Sequence, residues 1–145
     1  MTRKFDPNFK FEPTLFVVGG KAIIRKDDKI LLLKRSEKSG GGGWSFPGGA
    51  VEQEDAIEGI GREIDEELLI KVKNIKPFSI KTYFEKRPTI IIGYMCDYDS
   101  GEIDLNWEHD EYKWLLPKEA LKMKLTPDAK FFIEEYIKQS EHTKL

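Results

Sequence analysis

Glu63, Glu66 and Glu67 follow Arg62 within five positions, and Glu54 and Gly48 stand upstream of them at fixed distances. In a helix, residues three and four apart share a face, so these carboxylates should project into one small volume. Each like-charge pair costs about 0.2–0.5 kcal/mol, and anions in the last turn oppose the helix dipole by about 0.3–1 kcal/mol each. The cluster therefore works against local stability. A hard divalent cation bound through oxygen is the simplest compensation, and Mg²⁺ brings phosphates with it. A solvated, salt-bridged surface helix accounts for the same acidic run when it is taken by itself.

The element that must carry these acids is legible in the same stretch. Ile57, Ile60, Ile64 and Leu68 recur at spacings of three, four and four, an apolar stripe that predicts a helix with one face packed and the other acidic. The full string runs Gly48, five residues, Glu54, seven residues, Arg62-Glu63-Ile64-Asp65-Glu66-Glu67, then Leu68-Leu69-Ile70. Six fixed residues at such spacing arise by chance with a probability on the order of 10⁻⁴ or less. This pattern resembles the Nudix box. Trp44-Ser45-Phe46-Pro47-Gly48-Gly49 resembles the strand and turn that lead into it, and residues 29–35, KILLLKR, the strand before.

Two positions depart from the family pattern. Leu69 stands where a glycine is usual near the end of the box, which predicts that another turn replaces the left-handed helix terminus. Gly48, the first of two glycines, gives the correct count where the family commonly uses the second. The loop from Gly49 to Glu54 is then one residue short, and Glu54 takes a structural role in the box.

The resemblance covers most of the chain and implies an α/β fold, a Nudix-type α/β/α sandwich with a mixed sheet between helices. It implies that the Gly48 carbonyl, Glu63, Glu66 and Glu67 bind Mg²⁺, with Mn²⁺ as a substitute. Arg62 then pairs with a box carboxylate and orients it. Glu63 is the general base in this reading, with Glu66 and Glu108 as rivals. Glu108 begins the acidic segment Glu108-His109-Asp110-Glu111, similar to the one that often supplies a further metal-binding carboxylate from outside the box. His109 is read as solvent-facing and His142 as part of a polar tail.

The implied activity is Mg²⁺-dependent hydrolysis of a nucleoside diphosphate linked to another group, above all a nucleoside triphosphate cleaved to monophosphate and pyrophosphate. The alternatives are a nucleotide sugar, ADP-ribose or a dinucleoside polyphosphate as substrate, or a non-catalytic nucleotide-sensing module. Glu85 occupies the position where some ADP-ribose hydrolases carry a proline, which weakens that option. Lys34, Arg35 and Asp128 are candidate substrate-binding residues. Phe78, Tyr83 and Phe84 could stack a base, although core packing is expected of at least two of them.

Composition bounds the rest. The chain has 145 residues, enough for one domain with a sizeable core; one domain over 1–145 is expected, with tails at 1–12 and 140–145. A formal net charge of −2 leaves no basic footprint and so gives no support for nucleic acid or an anionic membrane as the main partner; the resemblance implies a small-molecule nucleotide instead. A homodimer is compatible with the resemblance. Cys96 is the sole cysteine, which excludes an internal disulfide and a multi-cysteine zinc site and reads as a core residue in a cytoplasmic protein. No apolar run approaches the roughly 20 residues that span a bilayer.

Residues 15–25 and 29–35 are expected to be strands joined by an Asp27-Asp28 turn. Four consecutive glycines at 40–43 lack a Gly-Lys-Ser/Thr ending, so they read as a hairpin tip or substrate-access loop. Further strands are expected at 71–76, 78–86, 89–98 and 111–115, and a short helix at 118–123. Thr126-Pro127-Asp128 should cap a last helix that runs to about Gln139.

Overall fold

The computed structural model describes residues 4–142. Its seven strands are β1 (Val17–Lys26), β2 (Lys29–Arg35), β3 (Trp44–Ser45), β4 (Gly48–Ala50), β5 (Lys71–Tyr83), β6 (Thr89–Ser100) and β7 (His109–Leu115), and its helices are α1 (Ala56–Leu68), α2 (Pro117–Ala120) and α3 (Pro127–His142). The sheet runs β3-β2-β1-β6-β5, with β4 added to β1 and β7 to β2. β1 and β6 are parallel from Val17–Thr89 to Arg25–Asp97, and the other pairings are antiparallel. The sheet is mixed, as the α/β/α reading requires.

Alternation along the central strands divides the core between the two faces of the sheet. Ala22, Ile24, Leu31 and Leu33 pack with Ile60, Ile64 and Leu68 of α1, while Ile23, Ile30 and Leu32 pack with Ala129, Phe132 and Ile133 of α3. Cys96 is buried on the α1 side, and burial pushes its thiol up to about 12, so it packs as a small apolar group. The stripe on α1 is shorter than its spacing suggests, because Ile57 is 41% exposed. No helix among the described residues is long and apolar enough to cross a membrane.

Several elements differ from the sequence reading. Residues 71–86 do not form two strands; β5 runs unbroken from Lys71 to Tyr83, with register shifts between Lys73 and Lys76 and between Pro77 and Ser79. Pro77 reads as a breaker because it lacks an N–H, yet β5 is an edge strand, and bulges on an edge tolerate proline. β4 and a 3₁₀ turn at Glu37–Ser39 lie in stretches read as loop. α2 begins at Pro117 and stops at Ala120 instead of covering 118–123. α3 continues to His142, so residues 140–142 belong to a helix and not to a tail; residues 1–3 and 143–145 of the expected tails lie outside the described residues.

The end of α1 also corrects an expectation. Leu69 itself takes the left-handed conformation, at φ 56° and ψ 32°, and its N–H reaches the Asp65 carbonyl at 2.9 Å. The glycine-type terminus survives without the glycine. A left-handed non-glycine residue costs about 1–2 kcal/mol, and a side chain that is 58% exposed recovers little of that through packing. Leu69→Gly is therefore expected to stabilise the fold by about 0.5–1 kcal/mol. Urea denaturation checks this, and an unchanged or lower midpoint would contradict it.

Candidate active site

α1 starts cleanly because Asp55 caps it: the carboxylate accepts from the N–H groups of Ile57 and Glu58 at 3.1 and 3.2 Å. With Ile60, Ile64 and Leu68 against the sheet, the helix presents Glu63 and Glu67 toward β4. Arg62 binds Glu54 through two bonds, Nη2 to Oε1 at 2.6 Å and Nε to Oε2 at 3.0 Å. Its Nη1 holds both oxygens of Glu66 at 3.2 Å, and its Nη2 lies 3.3 Å from Glu63 Oε1. One planar guanidinium thus organises three carboxylates. Its hydrogen bond holds the Glu54 carboxyl below the usual range, and Glu54 and Glu66 in turn raise the Arg62 pKa.

Glu63 leans against the backbone of β4. A Cβ built on Gly49 would lie 2.6 Å from the Glu63 carboxyl carbon, so only glycine leaves room for that carboxylate. Gly48 is equally confined, since its Cβ would stand 1.9 Å from the Gly20 carbonyl oxygen on β1. Gly49→Ala is expected to displace the far end of the flexible Glu63 side chain and to lower turnover at least tenfold. Melting temperature should move by less than about 3 °C, because the clash involves no backbone. Retention of full turnover would show that the position of the Glu63 carboxylate is unimportant.

Glu67, on the last turn of α1, points inward and is only 3% exposed. It forms part of a cavity of about 300 Å³ together with Lys21, Arg35, Gly48, Glu108, His109 and Asp128. The Gly48 N–H donates to Glu67 Oε1 at 3.4 Å, while Oε2 is buried with no hydrogen-bond partner. Burial, with repulsion from Glu108 and Glu63, outweighs the attraction of Lys21 and pushes the Glu67 carboxyl up to about 8. His109 Nδ1 lies 3.9 Å from Glu67 Oε2 and also lacks a partner. That distance is too long for a hydrogen bond. Burial lowers the imidazole pKa while it raises that of the carboxyl, and both shifts oppose an ion pair.

The fold brings five expected residues, Gly48, Glu67, Glu108, Arg35 and Asp128, to one cavity, with Glu63, Arg62 and Glu54 beside it. Glu108 lies near enough to raise the pKa of both Glu63 and Glu67. Two residues stand apart. The Glu66 side chain is 58% exposed and held by Arg62, and Lys34, on the strand position next to Arg35, does not line this cavity. His109 is a correction: its side chain is 10% exposed because β7 begins there, against β2, instead of at Glu111. His142 ends α3. Phe78 packs against Phe132 and Tyr136, whereas Phe84 is 73% exposed and touches Phe16 edge-on.

Lys21 is absent from the sequence reading although a signal exists. It interrupts the apolar run of β1, VVGGKAII, in a central strand where a charge needs a reason. Its Nζ donates to the Phe46 carbonyl at 3.2 Å at the cavity wall. The donor set for a divalent cation is all oxygen. Glu67 Oε2 is the buried atom that most requires a partner, which fits a hard cation. As the side chains stand, no three His, Cys, Asp or Glu groups among the described residues converge enough to enclose an ion. Arg62 holds Glu54 and Glu66 through two bonds each and touches Glu63 through one oxygen only, so a cation would draw on Glu67 and Glu108 and on the Glu63 carboxylate beside them.

Residues 16–136 match the NUDIX domain. The NAD-capped RNA hydrolase NudC of Photobacterium profundum is 35% identical over 86 residues, 59% of this chain and 32% of that protein. The chain thus spans about a third of the length of this curated relative. Among solved structures, the E. coli ORF135 protein superposes with a TM-score of 0.75 at 28% identity, covering 86% of this chain and 90% of that one. The MutT NUDIX hydrolase from Burkholderia pseudomallei gives a TM-score of 0.72 at 27% identity, with 83% and 98% covered.

Proposed function

Because the chain belongs to the NUDIX domain family, we propose that it is a Mg²⁺-dependent pyrophosphohydrolase of nucleoside diphosphates linked to another group. A nucleoside triphosphate, cleaved to nucleoside monophosphate and pyrophosphate, is the first substrate to consider. The observation that carries this reading is the buried, unpartnered Glu67 Oε2 in a cavity that also holds Gly48, Glu108, Lys21 and Arg35. Carboxylates without cations would repel a diphosphate, and cations without carboxylates would only bind it. This cavity has both.

Glu67, Glu63, Glu108 and the Gly48 carbonyl would hold the cation. When bound, it supplies neutralisation of the phosphate oxygens and a more acidic water. Glu63, whose carboxylate lies against Gly49 beside the cavity, would accept the proton of the attacking water. Its carboxyl pKa is raised, first by burial, which brings its basicity closer to that of a neutral-pH base. Arg62 fixes Glu54 and Glu66 and steadies Glu63 without entering the cavity. Lys21 and Arg35, in the same lining, would offset the charge of the phosphates. Asp128, whose Oδ1 accepts from the Thr126 hydroxyl, remains available as an acceptor for a polar substrate edge.

The test is a substrate panel with Mg²⁺, and with Mn²⁺ in its place: nucleoside triphosphates, 8-oxo-dGTP, ADP-ribose, nucleotide sugars, dinucleoside polyphosphates, NAD and NAD-capped RNA. Glu67→Gln serves as the blank and chromatography identifies the products. Metal-dependent monophosphate plus pyrophosphate, absent from the blank, supports the proposal. Ligand-induced thermal stabilisation without turnover of any compound would replace it with a nucleotide-sensing module.

A further inference from the structure

Beside the catalytic cavity lies a second one of about 490 Å³, whose lining includes Lys34, Arg35, Lys38, Trp107, His109 and Asp110. Arg35 and His109 line both cavities, so the two adjoin. Trp107 is 66% exposed. The other tryptophans are engaged: Trp44 lies under the Lys113 ammonium, and Trp114 meets Tyr98 edge-on. Among the described residues, no ring or cation contact involves Trp107.

The backbone beneath this indole is held firmly. Ser36 Oγ donates to the Trp107 carbonyl at 2.7 Å, and the Glu108 carbonyl accepts from Ser39 Oγ and from the Ser36 N–H, both at 2.8 Å. The Glu108 N–H closes a turn on Asn106 Oδ1 at 3.0 Å. The same contacts therefore fix the stretch of backbone that carries both the Glu108 carboxylate and the ring next to it. An exposed aromatic face on a fixed backbone loses little conformational freedom when a flat ligand covers it.

We propose that Trp107 is the stacking platform for the nucleobase of the substrate, in a subsite where Lys34 and Lys38 flank the nucleotide and Arg35 bridges to the phosphates in the catalytic cavity. A base offers a flat face of the right size, and its attached phosphates suit a lining in which three cations, Lys34, Arg35 and Lys38, outnumber two acids, Glu37 and Asp110. This assignment rests on the pyrophosphohydrolase reading for the identity of the substrate. It explains why a large apolar side chain stays in water beside the site, and why two serine hydroxyls secure the turn that carries it.

The test separates the inference from the reading beneath it. Intrinsic fluorescence of the purified full chain is titrated with AMP and GMP, and with ribose 5-phosphate as a probe without a base. AMP or GMP should quench the wild-type emission, ribose 5-phosphate should not, and the quenching should vanish in Trp107→Phe, which lacks the fluorophore but keeps a stacking face. In turnover of a nucleoside triphosphate, Trp107→Ala should raise KM about tenfold with kcat within about twofold, while Trp107→Phe stays within about threefold of wild type. Emission unmoved by AMP and GMP, or quenched equally in Trp107→Phe, overturns the inference. Turnover with an unchanged KM in Trp107→Ala overturns it as well. Base-dependent quenching of Trp107 without turnover of any nucleotide would uphold the subsite and remove the hydrolase reading.

Discussion

Glu63→Gln should lower kcat by about 10² to 10⁴ with little change in KM, because the amide keeps the shape of the side chain and cannot take a proton. Two observations favour Glu63 over Glu66. It is 18% exposed, against 58% for Glu66, and burial raises its pKa. Arg62 Nη1 holds both Glu66 oxygens at 3.2 Å, on an exposed side chain that does not line the cavity. Glu66→Gln should therefore cost less than about tenfold. Steady-state kinetics at saturating Mg²⁺ decide the matter. Full activity in Glu63→Gln rules out Glu63 as the base, and a loss confined to Glu66→Gln or Glu108→Gln transfers the role to that residue.

In metal-free buffer, the stability of the protein should fall as pH rises from about 6.5 to 8, and Glu67 is the reason. Burial pushes its carboxyl up from 4.5 to about 8, so between those values the folded chain holds a proton that the unfolded chain has released. Stability is then fully present below the ordinary carboxylate pKa and declines by up to roughly 1.4 kcal/mol per pH unit toward the folded value. Glu63 contributes with the same sign. His109 acts oppositely, because its folded pKa is lowered, but only below its ordinary 6.5. The upper part of the window therefore isolates the carboxyls.

Scanning calorimetry in EDTA should show the melting temperature dropping by a few degrees per pH unit above 6.5. In Glu67→Gln most of that slope should disappear. Mg²⁺ should stabilise the wild type more at pH 8 than at 6.5, since binding must displace the Glu67 proton, and should stabilise the variant far less. A flat wild-type profile in EDTA would mean that Glu67 is ionised in the metal-free fold and that its buried oxygen has found a partner. Equal Mg²⁺ stabilisation of both proteins would remove Glu67 from the cation site.

How far local sequence carried depended on whether a rule acts within one element. The α1 register, the β1–β2 hairpin and the core alternation follow from periods of 3.6 and 2, which neighbouring residues set by themselves. The breakdowns occurred where a neighbour supplied the missing term. Pro77 ends a strand by its own chemistry, yet the edge position of β5 removes that objection. Leu69 resists the left-handed region by its own sterics, yet it ends α1 there because the chain must turn from the helix into β5.

The site divides in the same way. The spacing put Arg62, Glu63 and Glu66 on one helix, and the resemblance implied that Arg62 pairs with a box carboxylate; the structure adds Glu54 from the preceding loop and makes the guanidinium the centre of three. Only the tertiary structure decided that Glu67 is the buried member, that Lys21 and His109 face it from β1 and β7, and that Trp107 stands exposed beside Arg35. Side-chain spacing is a property of the backbone nearby. Desolvation and pKa are properties of whatever packs around a group, and here strands far apart in the chain supply it.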